Sequence, residues 1–130
     1  MLFQNRSLSF ELAPVMLDLN IVHRVHTTKF LGVIIDDHLN WREHIVNLTI
    51  ILSKTAGIMY RIRHNLTLES IIILYYTLCY SKLMYCISVW GCTWPSFLDK
   101  LFITQKRILR VMTFKKIFES TEGIFTDLKL

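Results

Sequence analysis

The sequence has little glycine, proline or cysteine, and these shortages exclude several kinds of functional site. Its 130 residues include four glycines, two prolines and three cysteines. The glycines stand singly, so the chain has no glycine-rich loop that could cradle a phosphate. It also has no G-x-S-x-G sequence of the kind that carries a nucleophilic serine.

The cysteines are odd in number and lack C-x-x-C spacing, which argues against a disulfide framework and against a zinc ribbon. We expect Cys79, Cys86 and Cys92 to be reduced and mostly buried. No basic segment precedes an apolar run at the N-terminus, so we expect an intracellular chain, nuclear or cytoplasmic, rather than a secreted one.

What the sequence does have is apolar side chains and positive charge. Hydrophobic residues make up 52%, and the mean hydropathy of +0.39 is high for a small soluble domain. This predicts either a helix buried on most sides or an exposed surface that a partner normally covers. The net charge of +5 favours an anionic partner. The positive charge is concentrated in residues 99–116, which contain six Lys or Arg residues and one acidic residue, Asp99.

The order of the hydrophobic patterns predicts an α+β fold, with a small antiparallel hairpin or sheet followed by three helices. We expect strands over residues 7–12, 22–26 and 29–35. We expect the first helix to start at Asn40, as an N-cap with Glu43 completing a capping box.

The second helix is predicted to run from Thr67, its N-cap, to Trp90, with Gly91 ending it. The third starts with Pro95 at its first helical position. One arc of the third helix is apolar apart from one glutamine, and it comprises Leu98, Leu101, Phe102, Gln105, Ile108, Leu109 and Met112. The opposite arc is basic and comprises Lys100, Lys106, Arg107 and Arg110.

Asp36 and Asp37 are the only adjacent carboxylates, and two interpretations compete for them. Paired carboxylates hold the metal ions of two-metal polymerases. However, this pair is followed by what looks like a helix start, where negative charge is favoured by the helix dipole. We therefore interpret it as a turn and predict no metal site. His23 and His26 would point to opposite faces of a strand, so we do not expect them to chelate one ion.

Residues 68–90 also permit a membrane span, since about 20 apolar residues cross a bilayer. Lys82 lies in the middle of this segment and would cost about 2.5–3.5 kcal/mol on insertion scales. A central helix packed on its neighbours would have the same apolar residues, so we do not expect the chain to insert into a membrane. A small membrane-associated helical protein remains the alternative.

The order of several short motifs resembles the region after the catalytic core of non-LTR, LINE-type retrotransposon reverse transcriptases of the jockey kind. The motifs lie at residues 29–36, 39–41, 44–45, 74–75, 83–86, 89–91 and 101–110. In that family, "KFLGV-x-ID-x-x-L-x-W-x-x-HI" follows the last palm strands. The motifs "LYY…YC…VWG" and "L-x-x-x-Q-K-R-x-LR" follow in a helical region that resembles a thumb.

This resemblance implies a division into three regions. Residues 1–38 would be the end of the palm, residues 39–116 the thumb-like helices and residues 117–130 a tail. Phe30, Leu31 and Gly32 align with a motif that resembles a primer grip. The family's F/Y-A-D-D hairpin is absent from this sequence. The resemblance therefore implies no catalytic residue, no enzyme activity in this fragment alone, and no cofactor, although the full-length enzymes use Mg.

The function expected from the resemblance and the basic residues is non-specific binding to the backbone of a template–primer RNA/DNA duplex. The partners would be this nucleic acid and the palm and fingers of the parent enzyme. The residues expected to contact nucleic acid are Lys54, Arg61, Arg63, Lys100, Lys106, Arg107 and Arg110. A relic of a mobile element without a function of its own is a further alternative.

Overall fold

The computed structural model describes residues 1, 3, 15–17, 20–115, 121, 123 and 124. The chain divides into two compact units, Met1–His44 and Ile45–Leu130. The strand expected over residues 7–12 lies outside the described residues, as does most of the expected tail. The division into palm end, thumb and tail stays a prediction.

The first unit contains two antiparallel β-hairpins. Strand β1 (Val15–Leu17) pairs with β2 (Asn20–Val22), and β3 (Thr27–Phe30) pairs with β4 (Val33–Asp36). Helices follow from Arg42 onward, so the predicted α+β class, with antiparallel strands before helices, is confirmed.

Two strand predictions were wrong. Residues 29–35 are not one strand, because the chain reverses at Leu31 and Gly32, which have φ angles of 46° and 85°. Two consecutive positive φ angles are typical of a tight two-residue hairpin turn, and glycine accepts such an angle without a steric cost. Residues 23–26 are not a strand either, since β2 ends at Val22. His23 and His26 are therefore not held on opposite faces of a strand.

The helical part consists of two long helices with shorter segments between them. The segments are α1 (Arg42–Ile62), a short 3-10 helix (Arg63–Asn65), α2 (Leu68–Tyr75), a short π-helix (Tyr76–Tyr80), α3 (Ser81–Met84), α4 (Ile87–Trp90) and α5 (Pro95–Met112). Thr67 caps α2 as predicted, because its hydroxyl oxygen accepts a hydrogen bond from the backbone N–H of Ser70. Pro95 is the first residue of α5, also as predicted.

The predicted continuous helix from Thr67 to Trp90 was wrong. It breaks between α3 and α4, where Cys86 has a φ angle of 53°. The indole N–H of Trp90 donates a hydrogen bond to the Tyr85 carbonyl oxygen over 2.9 Å, which bridges the break between the two helices. Gly91 follows the last helical residue as predicted, but its φ is −68°. Glycine is needed because a Cβ atom there would lie 2.5 Å from the carbonyl oxygen of Ile87.

The core of the second unit lies between α1, the segments of residues 68–90 and α5. Its largest fully buried side chains among the described residues include Leu52, Met59, Tyr75, Trp90 and Ile108. Most of the predicted apolar arc of α5 is buried or half-buried, whereas Phe102 at the edge of that arc is 46% exposed. The cysteines are free; Cys79 is buried, Cys86 half-buried and Cys92 exposed.

Candidate nucleic-acid interface

Helix α5 carries four basic residues on the side away from the core. Lys100 and Arg107 are exposed, and Lys106 and Arg110 are half-buried. We call these four residues the basic arc. Buried Leu101, Ile108 and Met112 fix the opposite side of the helix against the core. Asp99 is the only acidic residue of α5, so the outer surface of this helix is predominantly positive.

Apolar side chains are interleaved with the basic arc. The Nζ atom of Lys106 lies 4.2 Å from the centroid of the Phe102 ring, a cation–π distance. Ile103 is 65% exposed and lies on the same side of the helix as Arg107 and Arg110. The surface therefore offers both charge and apolar contact.

A hydrogen bond between Gln105 and Tyr75 joins the inner side of α5 to α2. The Nε2 atom of Gln105 donates to the Tyr75 hydroxyl oxygen over 2.8 Å. Tyr75 is 1% exposed, and its burial raises the pKa of its hydroxyl group. Arg107, two positions after Gln105, lies about 200° around the helix from it and is exposed on the outer side.

The guanidinium group of Arg63 makes contacts within the chain, with one carbonyl oxygen and two aromatic rings. Its Nη1 atom donates to the Val111 carbonyl oxygen over 3.1 Å. Its guanidinium carbon lies 4.4 Å from the ring centroid of Tyr60 and 4.5 Å from that of Phe114. The contact joins the end of α1 to the end of α5. A role of Arg63 in nucleic-acid binding stays a prediction, and its observed contacts are structural.

Lys54 and Arg61 lie on a different helix from the basic arc. Both are exposed on the outer face of α1, two turns apart, and Ile58 on the same face is 53% exposed. Their expected contact with nucleic acid stays a prediction.

Phe30, Leu31 and Gly32 form the tip of the β3–β4 hairpin. Phe30 is 61% exposed and Leu31 is 73% exposed, and Leu31 is held at a positive φ angle that leucine seldom adopts. The structure thus presents two large apolar side chains at a hairpin tip. Whether they hold a primer end stays a prediction.

The carboxylate of Asp36 organises the turn before α1. Its Oδ1 atom accepts hydrogen bonds from the backbone N–H groups of His38 and Asn40, and its Oδ2 atom accepts one from Trp41. The interpretation of the acidic pair as a turn before a helix is confirmed. Asn40 as N-cap was wrong: α1 begins at Arg42, so Trp41, with a φ angle of 61°, precedes it.

Asp37 is buried among basic side chains. The Nδ1 atom of His26 donates to its Oδ2 atom over 2.7 Å, and the Arg24 Nη2 atom lies 3.9 Å from the same oxygen. His38 Nε2 lies 3.8 Å from the other oxygen. The hydrogen bond from His26 lowers the pKa of the Asp37 carboxyl.

The sequence did not predict this cluster, because His26 was expected in a strand whose partner strand and pairing register were unknown. The observed pairing of Thr27 with Asp36 places the preceding His26 beside Asp37, and that register was the missing information. Both carboxylates of the pair are thus engaged by groups of their own chain. The described part of the chain contains no group of three or more His, Cys, Asp or Glu side chains placed to hold a metal ion.

Residues 68–90 do not form one continuous helix, since the chain turns at Cys86. Within the described residues, the helical stretch with the length and composition to cross a bilayer is Arg42–Asn65 instead. A third of the most apolar 18-residue part of this stretch is buried inside the structure. A core helix of a soluble protein can have the same length and composition.

Comparison with known proteins gives one distant match. The chain is 28% identical over 115 residues to the RNA-directed DNA polymerase from mobile element jockey of Drosophila funebris. The match covers 85% of this chain and 12% of the jockey polymerase. The chain is thus distantly related to a retrotransposon polymerase. No family model and no solved structure matches it.

The jockey match supports the resemblance in its coarser form, as a relationship to a reverse transcriptase. The assignment to a thumb stays a prediction. Because the chain spans about an eighth of the jockey polymerase, the activity of that whole protein does not transfer to this chain.

Proposed function

We propose that this chain is a non-catalytic piece of a non-LTR retrotransposon RNA-directed DNA polymerase that holds the template–primer duplex through its phosphate backbone. The observation that carries the proposal is the basic arc on the outer side of α5. The distant relationship to the jockey polymerase supplies the class of ligand.

The geometry of α5 favours backbone contact over base readout. Lys100 and Arg107 are two turns apart on one exposed side, which spaces their charges by about 10 Å along the axis. Lys106 and Arg110 lie one turn apart beside them. Such a row of cations neutralises phosphates whatever the sequence of the duplex, so binding would be non-specific.

The chain contributes no catalytic carboxylate in this proposal. The Asp36 carboxylate accepts backbone hydrogen bonds in the turn before α1, and the Asp37 carboxylate accepts one from His26. We infer that polymerisation, with its Mg, belongs to other parts of the parent enzyme. The exposed tip at Phe30 and Leu31 would meet the primer end only in that larger enzyme.

The experiment is a fluorescence-anisotropy titration of a labelled RNA–DNA hybrid with the full chain. The test variant combines Lys100→Gln and Arg107→Gln, and the control combines Arg42→Gln and Lys82→Gln. All four residues are exposed, and both variants lose two positive charges. At about 0.1 M salt we expect the test variant to bind about tenfold or more weakly, and the control to stay within about twofold of the parent. Equal losses in both variants would show that only net charge matters and would contradict the assignment to α5.

A further inference from the structure

The outer face of α1 lies outside the basic arc that carries the proposed function. Six residues along it are spaced alternately by four and three positions: Glu43, Asn47, Ile50, Lys54, Gly57 and Arg61. We call them the α1 seam. Asn47 is half-buried and the other five are exposed, while Leu48, Leu52 and Met59 bury the opposite side. Positions with an average spacing of about 3.5 residues are those that face the partner when two helices pack along each other, and in the α1 seam Ile50 is the one large apolar residue among them.

The seam is complementary to itself. We propose that a second copy of this chain packs antiparallel on the α1 seam, with the two-fold axis at the level of Leu52. In this arrangement Glu43 of one copy lies opposite Arg61 of the other, and Ile50 lies opposite the aliphatic stem of Lys54. Two-fold symmetry repeats each pair, as it does in isologous dimers.

The glycine of the seam fits the same arrangement. Gly57 lies in the middle of a 21-residue helix, where glycine is destabilising relative to alanine. Nothing lies within 4 Å of the position that its Cβ atom would occupy, so packing within the chain does not require glycine there. In the antiparallel pair, Gly57 is opposite Asn47 of the other copy, and the missing side chain leaves room for the amide.

Apolar contacts flank the seam. Val46 is 45% exposed and Ile58 is 53% exposed, and they add apolar surface on the two flanks of the seam. Ile50, which is 48% exposed, adds apolar area at the centre. A lipid surface fits less well, because helices that lie on membranes keep their charges on the face opposite the apolar one. Here Glu43, Lys54 and Arg61 share a face with the apolar residues.

The test is the oligomeric state of the full chain by sedimentation velocity across a concentration series. One helix pair is a small interface, so we expect a dimer with a dissociation constant in the range of about 1–100 μM. Glu43→Arg alone, or Arg61→Glu alone, places like charges opposite each other twice in the dimer. Each is expected to weaken it by about tenfold, and the double variant to restore it. Glu69→Arg, the same change at an exposed site on α2, is expected to leave the dimer unchanged.

A second variant separates the dimer from folding. Gly57→Gln fills the open space with a good helix former, so we expect its thermal unfolding temperature to be at least that of the parent while the dimer is lost. A parent chain that stays monomeric up to about 200 μM would overturn the proposal. So would a dimer that Glu43→Arg leaves intact, or one that the double variant fails to restore. Flotation of a monomeric chain with anionic vesicles would assign the face to a lipid surface instead.

Discussion

Gln105 donates a hydrogen bond to the hydroxyl oxygen of Tyr75 over 2.8 Å, and the two residues are 30 positions apart in the chain. The bond joins α5 to α2 beneath the basic arc. It also links two of the short motifs on which the resemblance to retrotransposon polymerases depends, those at residues 74–75 and 101–110. The placement of the proposed binding surface therefore depends on an interaction inside the second unit.

Removing this hydrogen bond is expected to destabilise the helical unit. Tyr75→Phe keeps the buried ring and removes the hydroxyl group, so we expect the free energy of unfolding to fall by about 1 kcal/mol. Urea titration followed by circular dichroism measures the loss. Lys100→Gln, on the outer side of the same helix α5, is the control and should change the stability by less than about 0.5 kcal/mol. A Tyr75→Phe variant as stable as the parent would show that the bond contributes nothing.

The stability of the first unit is expected to fall in mild acid because of His44. The backbone N–H of Ile34 donates to its Nδ1 atom over 3.3 Å, which requires that nitrogen to be unprotonated. Burial lowers the pKa of His44 from 6.5. Between pH 6.5 and that lowered pKa, the unfolded chain binds a proton that the folded chain excludes, so stability is lost as the pH falls through this range.

The measurement is the urea midpoint of unfolding between about pH 7.5 and pH 5. His44→Gln should be less stable than the parent at neutral pH and should lose less stability on acidification. The contribution of Asp37 lies in a separate range, because its pKa is lowered from 3.8 and its stabilisation is lost only below that pH. A His44→Gln variant with the same pH dependence as the parent would contradict the assignment to His44.

Asp36 is expected to be the most sensitive residue of the turn before α1, because its carboxylate accepts three backbone hydrogen bonds. Asp36→Ala should lower the free energy of unfolding by about 1–2 kcal/mol, the range for losing a helix cap. Asp36→Asn keeps one acceptor oxygen and should lose less. Thermal unfolding compares the three proteins, and an equal loss in both variants would mean that the charge alone matters.

The three thiols should differ in their reaction with iodoacetamide. Burial raises the pKa of Cys79 to about 11, and the thiolate is the reactive form. Cys92 is exposed, so at about pH 8 we expect it to be alkylated first and Cys79 to react only after unfolding in urea. Mass spectrometry of the digested protein identifies the labelled sites. Labelling of Cys79 as fast as Cys92 in the folded chain would show that the helices open readily around it.

Features with a local physical cause were predictable from the sequence. Thr67 caps α2 with its own hydroxyl group, and Pro95 starts α5 because its missing N–H is unneeded there. The outward position of Lys100 and Arg107 followed from the helical period alone. These predictions needed only residues within one or two turns.

Features set by distant partners were not predictable in this way. The break at Cys86 coincides with the hydrogen bond from the Trp90 indole to the Tyr85 carbonyl, and no glycine or proline marks it. The turn at Leu31 is a left-handed conformation that leucine disfavours, so the apolar run around it favoured a single strand. Asn40 is a good capping residue by type, but the carboxylate of Asp36 accepts the backbone hydrogen bonds of that turn instead.

The most direct test of the proposed function is the salt dependence of the affinity for an RNA–DNA hybrid. The logarithm of the binding constant is plotted against that of the salt concentration for the parent and for a variant with Gln at all four positions of the basic arc. Four phosphate contacts predict that the parent has a negative slope steeper by about 3–4 than the variant's. Equal slopes for the two proteins, or an affinity of the parent that does not change with salt, would contradict the account.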